Sequence, residues 1–190
     1  MHTFRDYIRE SGIHISDKDW DVYSAHITSE TFKKGDIITK QGEIENYINF
    51  IVSGISIHYI EHNDMQTIIN FSFDNTYSCS YESFITHQPS ECTIEALTNI
   101  EMWRLTYDDF QYILKNAEIG PYIEKYSIHR LYLRKSARER SFLIETAEER
   151  YLNLIKMEPN IFLKISLKYI ASYIGVTPQA LSRIRKRIVL

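Results

Sequence analysis

Cysteine is scarce in this chain of 190 residues: Cys79 and Cys92 are too few for a disulfide scaffold, a four-thiolate metal site or the usual iron–sulfur ligand set. Small buried residues are their expected role. Glycine (six) and proline (four) are sparse, and no internal repeat or low-complexity linker stands out. No stretch approaches the roughly 18–20 apolar residues that a membrane span needs. Met1-His2-Thr3-Phe4-Arg5-Asp6 meets charge before any signal-like apolar run builds. The expectation is a cytoplasmic protein with no membrane partner. Positive charge is missing from one long interval. Between Lys40 and Arg104 there is no Lys or Arg, whereas Glu43, Glu45, Glu61, Asp64, Asp74, Glu82, Glu91, Glu95 and Glu101 all fall there.

What is present is ordinary in amount and uneven in place. The 44% hydrophobic and 25% charged shares suit a soluble chain with a real core. From Pro159 onward stand Lys164, Lys168, Arg183, Arg185, Lys186 and Arg187 with no carboxylate; taking these six from the net −3 leaves −9 on residues 1–158. A local basic patch on an acidic body is what attracts phosphates.

Ser16, Asp19, Trp20, Tyr23 and Ile27 predict a capped helix near the start. From Glu30 to about Leu105, short runs rich in Ile, Phe, Tyr and Thr are broken at Lys34-Gly35-Asp36, Gln41-Gly42-Glu43, Val52-Ser53-Gly54 and His62-Asn63-Asp64. That is the pattern of a β-sandwich or barrel. Helix resumes at Thr106-Tyr107-Asp108-Asp109. A long helix is expected from Ile119 to Ile144, with Pro121 in its opening turn. Ile123, Tyr126, Arg130, Leu133 and Ala137 recur along it at spacings of three and four, which suggests a dimer seam. Thr146-Ala147-Glu148-Glu149 opens a further helix that stops before Pro159.

The stretch Leu167 to Ile188 carries the functional signal. Ser166 can cap a first helix, Gly175 ends it, and Thr177-Pro178 opens a second. Ala171 is small where the two would cross, and Ile170, Ile174, Val176, Leu181 and Ile184 would share their core. Burying Leu181, Ile184 and Ile188 turns Gln179, Ser182, Arg183 and Lys186 outward on one face. Gln suits adenine, Arg suits guanine bidentately, and Ser serves either base or phosphate. Lys168, Lys186 and Arg187 are candidates for backbone phosphates.

Ile170 to Lys186 resembles the helix-turn-helix of the Crp/Fnr family of bacterial transcription regulators. The turns at Gly35, Gly42 and Gly54 and the stretch Glu148-Glu149-Arg150-Tyr151 resemble the family in the same order. The resemblance implies an α+β fold in three parts: a jelly-roll-like β-roll sensor resembling a cyclic nucleotide-binding domain (1–118), a long dimerisation helix (119–145) and a small helix-turn-helix domain (146–190). It implies that Gln179, Ser182 and Arg183 contact bases and Thr177 a phosphate. The partners it implies are a palindromic DNA operator, a second copy of the chain, RNA polymerase and a small-molecule effector. No enzyme, cofactor or metal is expected. Many members continue into a β-hairpin wing; with Leu190 as the last residue, the expectation is a reader without one.

For the sensor, the resemblance directs attention to Tyr77, Tyr81, Glu82, Glu91, Cys92 and Thr93 as a ligand pocket. Glu82 matches the ribose-binding acid of cyclic AMP binders, but no Arg follows, and Glu91 stands where a cation is wanted. An anion buried without a cation costs several kcal/mol. Arg130 or Arg134 from the long helix could supply the charge. Three readings stay open: a cyclic nucleotide, a neutral ligand stacked on Tyr77 or Tyr81, or no ligand. His58-Tyr59-Ile60-Glu61-His62 matches a zinc-peptidase pattern, but alternation there reads as a strand. On a strand the two imidazoles stand roughly 13 Å apart, too far for one zinc.

Overall fold

A computed structural model describes residues 14–188, in eight helices and eight strands. The chain start and residues 189–190, on which the signal-segment and wing expectations rest, lie outside the described residues.

Helix α1 (Asp17–His26) begins at Ser16, whose hydroxyl accepts from the Asp19 amide. Buried Asp19 in turn accepts from the backbone of Glu118 at 2.8 Å, tying α1 to the far end of the roll. The strands are β1 (Thr28–Phe32), β2 (Ile37–Thr39), β3 (Tyr47–Ser53), β4 (Ser56–His62), β5 (Met65–Ser72), β6 (Thr76–Ser78), β7 (Thr93–Ala96) and β8 (Ile100–Thr106). They form two antiparallel four-stranded sheets, ordered β1-β8-β3-β6 and β2-β7-β4-β5. Between β4 and β5 only Asn63 and Asp64 intervene, both at positive φ, a two-residue turn whose twist suits a hairpin. Gly54 turns β3 into β4 at φ +106°, where a Cβ would lie 2.5 Å from the Asn99 carbonyl oxygen. No other residue fits there.

Ile51, Ala96, Ile100 and Met102 fill the roll between the sheets. A second cluster joins Tyr23 of α1 and Phe50 of β3 to Ile113, Ala117, Ile119 and Ile123. A short helix, α2 (Tyr81–Thr86), buries Phe84, and α3 (Tyr107–Asn116) follows β8 with Thr106 as its cap. The long helix α4 (Gly120–Ile144) has 25 residues, Pro121 in its first turn, and at about 1.5 Å rise per residue spans about 37 Å. Then come α5 (Ala147–Met157), opened by a Thr146–Glu149 capping box, α6 (Ile161–Lys164), α7 (Leu167–Ile174) and α8 (Pro178–Ile188).

The third cluster crosses the expected boundary between sensor and reader. Ile55, Ile57, Tyr59, Ile68 and Phe71 of β4–β5 and its flank pack with Tyr151, Leu154, Ile170, Ile174, Leu181 and Ile184. The C-terminal helices therefore cover the outer face of the β2-β7-β4-β5 sheet and share one core with it. Among the described residues no helix is long and apolar enough to cross a membrane.

Candidate nucleic-acid interface

Local chemistry shapes the α7–α8 pair. Ser166 accepts from the Tyr169 amide and starts α7; Gly175 at φ +77° ends it. Thr177 Oγ1 accepts from the Ala180 amide at 3.2 Å and starts α8, with Pro178 at its first position. Ile170, Ala171, Ile174, Leu181 and Ile184 are buried and Val176 packs against them, so the pair meets through the residues expected for it. Gln179, Ser182, Arg183 and Lys186 are all exposed along the opposite face of α8, and Thr177 is open at its start. Lys168 is exposed on α7. Arg187 is exposed as well but is committed to Glu148 of α5 at 2.8 Å. Arg185 is drawn back over the Phe162 ring, 4.9 Å from its centroid, and so turns away from that exposed face.

Two arginines that the sequence did not single out hold this pair in place. Arg150 donates to the carbonyls of Ile174 at 2.9 Å and Glu145 at 2.6 Å, closing the last turn of α7. Arg138 of α4 donates to the Tyr173 carbonyl at 3.0 Å. Neither falls in a periodic pattern, and no local signal marks an arginine that will serve a distant carbonyl.

A cavity of about 620 Å³ opens between the roll and α4. Tyr77 and Tyr81 line it; Glu82, Glu91, Cys92 and Thr93 do not. Glu82 and Glu91 point to solvent, while Cys92 is buried and Thr93 Oγ1 accepts from the Gln41 amide at 3.0 Å. Arg130, Arg134 and Lys135 of α4 line the side facing the cation-free interval. Opposite them, His58 lies buried in β4, its Nε2 3.0 Å from Ser78 Oγ and 3.3 Å from Ser72 Oγ. Burial lowers its pKa to about 3, and Lys135 and Arg134 push the same way. Burial likewise raises the Cys79 thiol and the Glu45 carboxyl. His58 and His62 sit on a strand, not a helix, and among the described residues no metal-holding group of His, Cys, Asp and Glu forms.

The expected seam on α4 needs one correction. Ile123 is 5% exposed and belongs to the core with Tyr23 and Phe50, because the first turn of α4 packs on α1 and α3. Arg130, Leu133 and Ala137 are exposed and Tyr126 is half-buried. Tyr122, Tyr132, Leu143 and Ile144 extend the exposed apolar surface beyond the expected set.

A family model described as the cyclic nucleotide-binding domain matches residues 29–117, the roll. The regulator CLP of Xanthomonas campestris, a c-di-GMP-responsive global regulator, superposes with a TM-score of 0.71 at 12% identity over 91% of each chain. The chain has the Crp/Fnr fold. FixK2 of Bradyrhizobium japonicum gives 0.70 at 18% identity, covering 85% of this chain and 84% of that one. A transcriptional regulator of the crp/fnr family from Eubacterium rectale gives 0.69 at 17% identity, covering 96% and 87%. No curated protein sequence matches.

Proposed function

We propose that the chain is a sequence-specific DNA-binding transcription regulator acting in the cytoplasm as a homodimer. The three segments 1–118, 119–145 and 146–190 serve as sensor, dimerisation helix and helix-turn-helix reader. The observation that carries the reading is the division of α8: Leu181 and Ile184 buried, Gln179, Ser182, Arg183 and Lys186 exposed on the other face. A hairpin used only for packing has no need of that outer face. Gln179, Ser182 and Arg183 read bases, Thr177, Lys168 and Lys186 meet phosphates, and Arg187 joins them once it leaves Glu148. Tyr126, Arg130, Leu133 and Ala137 form the seam. RNA polymerase and a small-molecule effector are the further partners that the family resemblance suggests. Residues 80–93 lack the arginine by which cyclic AMP binders hold phosphate, which argues against cyclic AMP as the effector.

Selection of bound sequences from a random duplex pool, with and without cyclic AMP, tests this. The expected result is a palindrome-like site, the same in both arms, whose affinity falls steeply with salt. A folded, dimeric protein that retains no duplex at low salt overturns the reading.

A further inference from the structure

The sheet ordered β2-β7-β4-β5 ends at β5, and an edge strand presents backbone groups that need partners. Helix α7 supplies them. Ser172 Oγ accepts from the Ile68 amide at 2.9 Å and donates toward the Gln66 carbonyl at 3.4 Å. Arg138 Nη2 donates to the Tyr173 carbonyl at 3.0 Å and toward the Ile68 carbonyl at 3.4 Å, so one guanidinium joins α4, α7 and β5. It lies over two rings, 4.1 Å from the Tyr173 ring centre and 4.7 Å from that of Phe142. Phe71 of β5 packs on Tyr173 at 4.9 Å, within the apolar cluster that the roll and the reader share. The docking uses α7 and the inner face of α8. The outer face of α8, with Gln179, Ser182, Arg183 and Lys186, stays open. A contact that silenced the reader by masking would bury that face.

We propose that Ser172 and Arg138 are positioning residues that preset the reader on the roll, aiming α8 before DNA arrives. The inference rests on the reading of α7–α8 as the DNA reader. In a dimer the two readers must match half-sites about 34–36 Å apart. Readers swinging freely would have to be ordered on binding; readers held on β5 are ordered in advance, which strengthens binding without any new contact. The gain applies to a full site. A half-site asks nothing of the distance between readers.

The test uses the full chain with Ser172→Ala, Ser172→Thr and Arg138→Gln. Two quantities are read: hydrogen exchange of the Ile68 amide without DNA, and affinity for the duplex selected by the unaltered protein, as full palindrome and as single half-site. Ser172→Ala and Arg138→Gln should each speed Ile68 exchange about tenfold and weaken full-site binding about tenfold, with half-site binding within about twofold. Ser172→Thr keeps the hydroxyl and should stay near the unaltered protein. A purely structural role would leave the ratio of the two affinities untouched. Unchanged Ile68 exchange, or full- and half-site affinities that fall together or not at all, overturns the proposal. Should Arg138→Gln fail to fold, the half-exposed Ser172 carries the test alone. A chain that selects no duplex overturns the DNA reading and the presetting with it; selection followed by an unchanged ratio overturns the presetting only.

Discussion

His58 sits where a strand is covered twice, and its chemistry follows from that. Ile57 and Tyr59 face the reader's apolar cluster, while Ser56 and His58 face the interior of the roll, so four consecutive residues of β4 are buried. A sequence that alternates is read as having one wet face, and the depth of His58 could not be seen because the second cover lies more than a hundred residues away at Ile170 and Ile174. The buried ring takes a proton only near pH 3, whereas in the unfolded chain it does so near pH 6.5. In that window the unfolded state binds more protons, so stability rises with pH and is lost as pH falls from about 6.5 towards 3. The slope from this group reaches about 1.4 kcal/mol per pH unit. Urea unfolding at a series of pH values should show it, and His58→Gln, which cannot titrate, should flatten the curve; equal slopes for the two proteins would discard the account. At the reading face, Arg183→Ala should relax base preference at one operator position and cost about 1–3 kcal/mol there. Selection repeated with the variant checks this, and a uniform loss over all positions would make Arg183 a phosphate contact.

Helix boundaries were legible because caps are local. Ser16, Thr106, Thr146 and Ser166 each accept from a backbone amide three residues on, and such a pattern lies within one glance of the chain. The contacts that dock the elements on one another were not. Ser172 meets Ile68 across 104 positions and Arg138 meets it across 70, and no periodicity announces either. Ile123 shows the same limit: its spacing fitted a seam, but the opening turn of α4 is claimed by α1 and α3. Gly175 stands between these cases. Its role as a helix end was readable, its closeness to Phe142 was not. A Cβ there would lie 2.7 Å from Phe142 Cε1, on a backbone at φ +77°. Phe142 is 42% exposed and can move aside, so the backbone term decides. Gly175→Ala should lower stability by about 1–2 kcal/mol, and Gly175→Asn by less, since Asn tolerates the left-handed region. Thermal unfolding of the two variants gives the order, and an alanine variant as stable as the parent would contradict it.

The whole molecule is polarised in charge and in surface, and both features bear on how it assembles. Six cations and no carboxylate stand after Pro159 while the remainder of the chain carries −9, and a local basic patch of that kind attracts phosphates. Under the proposed function one reader offers few phosphate contacts, and two held by a dimer would double the counterions released and steepen the salt dependence. The α4 surface is where pairing is expected, because Leu133 is 65% and Tyr132 69% exposed in the middle of a 25-residue helix that covers neither within its own chain. Exposed apolar surface of that kind marks an interaction site. Leu133→Glu sets a carboxylate against its symmetry mate in such a seam, and the two charges cannot both be desolvated without a penalty of several kcal/mol. The variant should sediment as a monomer at concentrations where the parent is a dimer. Its affinity for a half-site should persist, its advantage on the full palindrome should vanish, and the slope of log affinity against log salt should fall to about half. That outcome is separable from the loosening of the reader, since Ser172→Ala leaves α4 untouched and should remain dimeric. If Leu133→Glu sediments as a dimer and keeps the full slope, the two copies meet through another face.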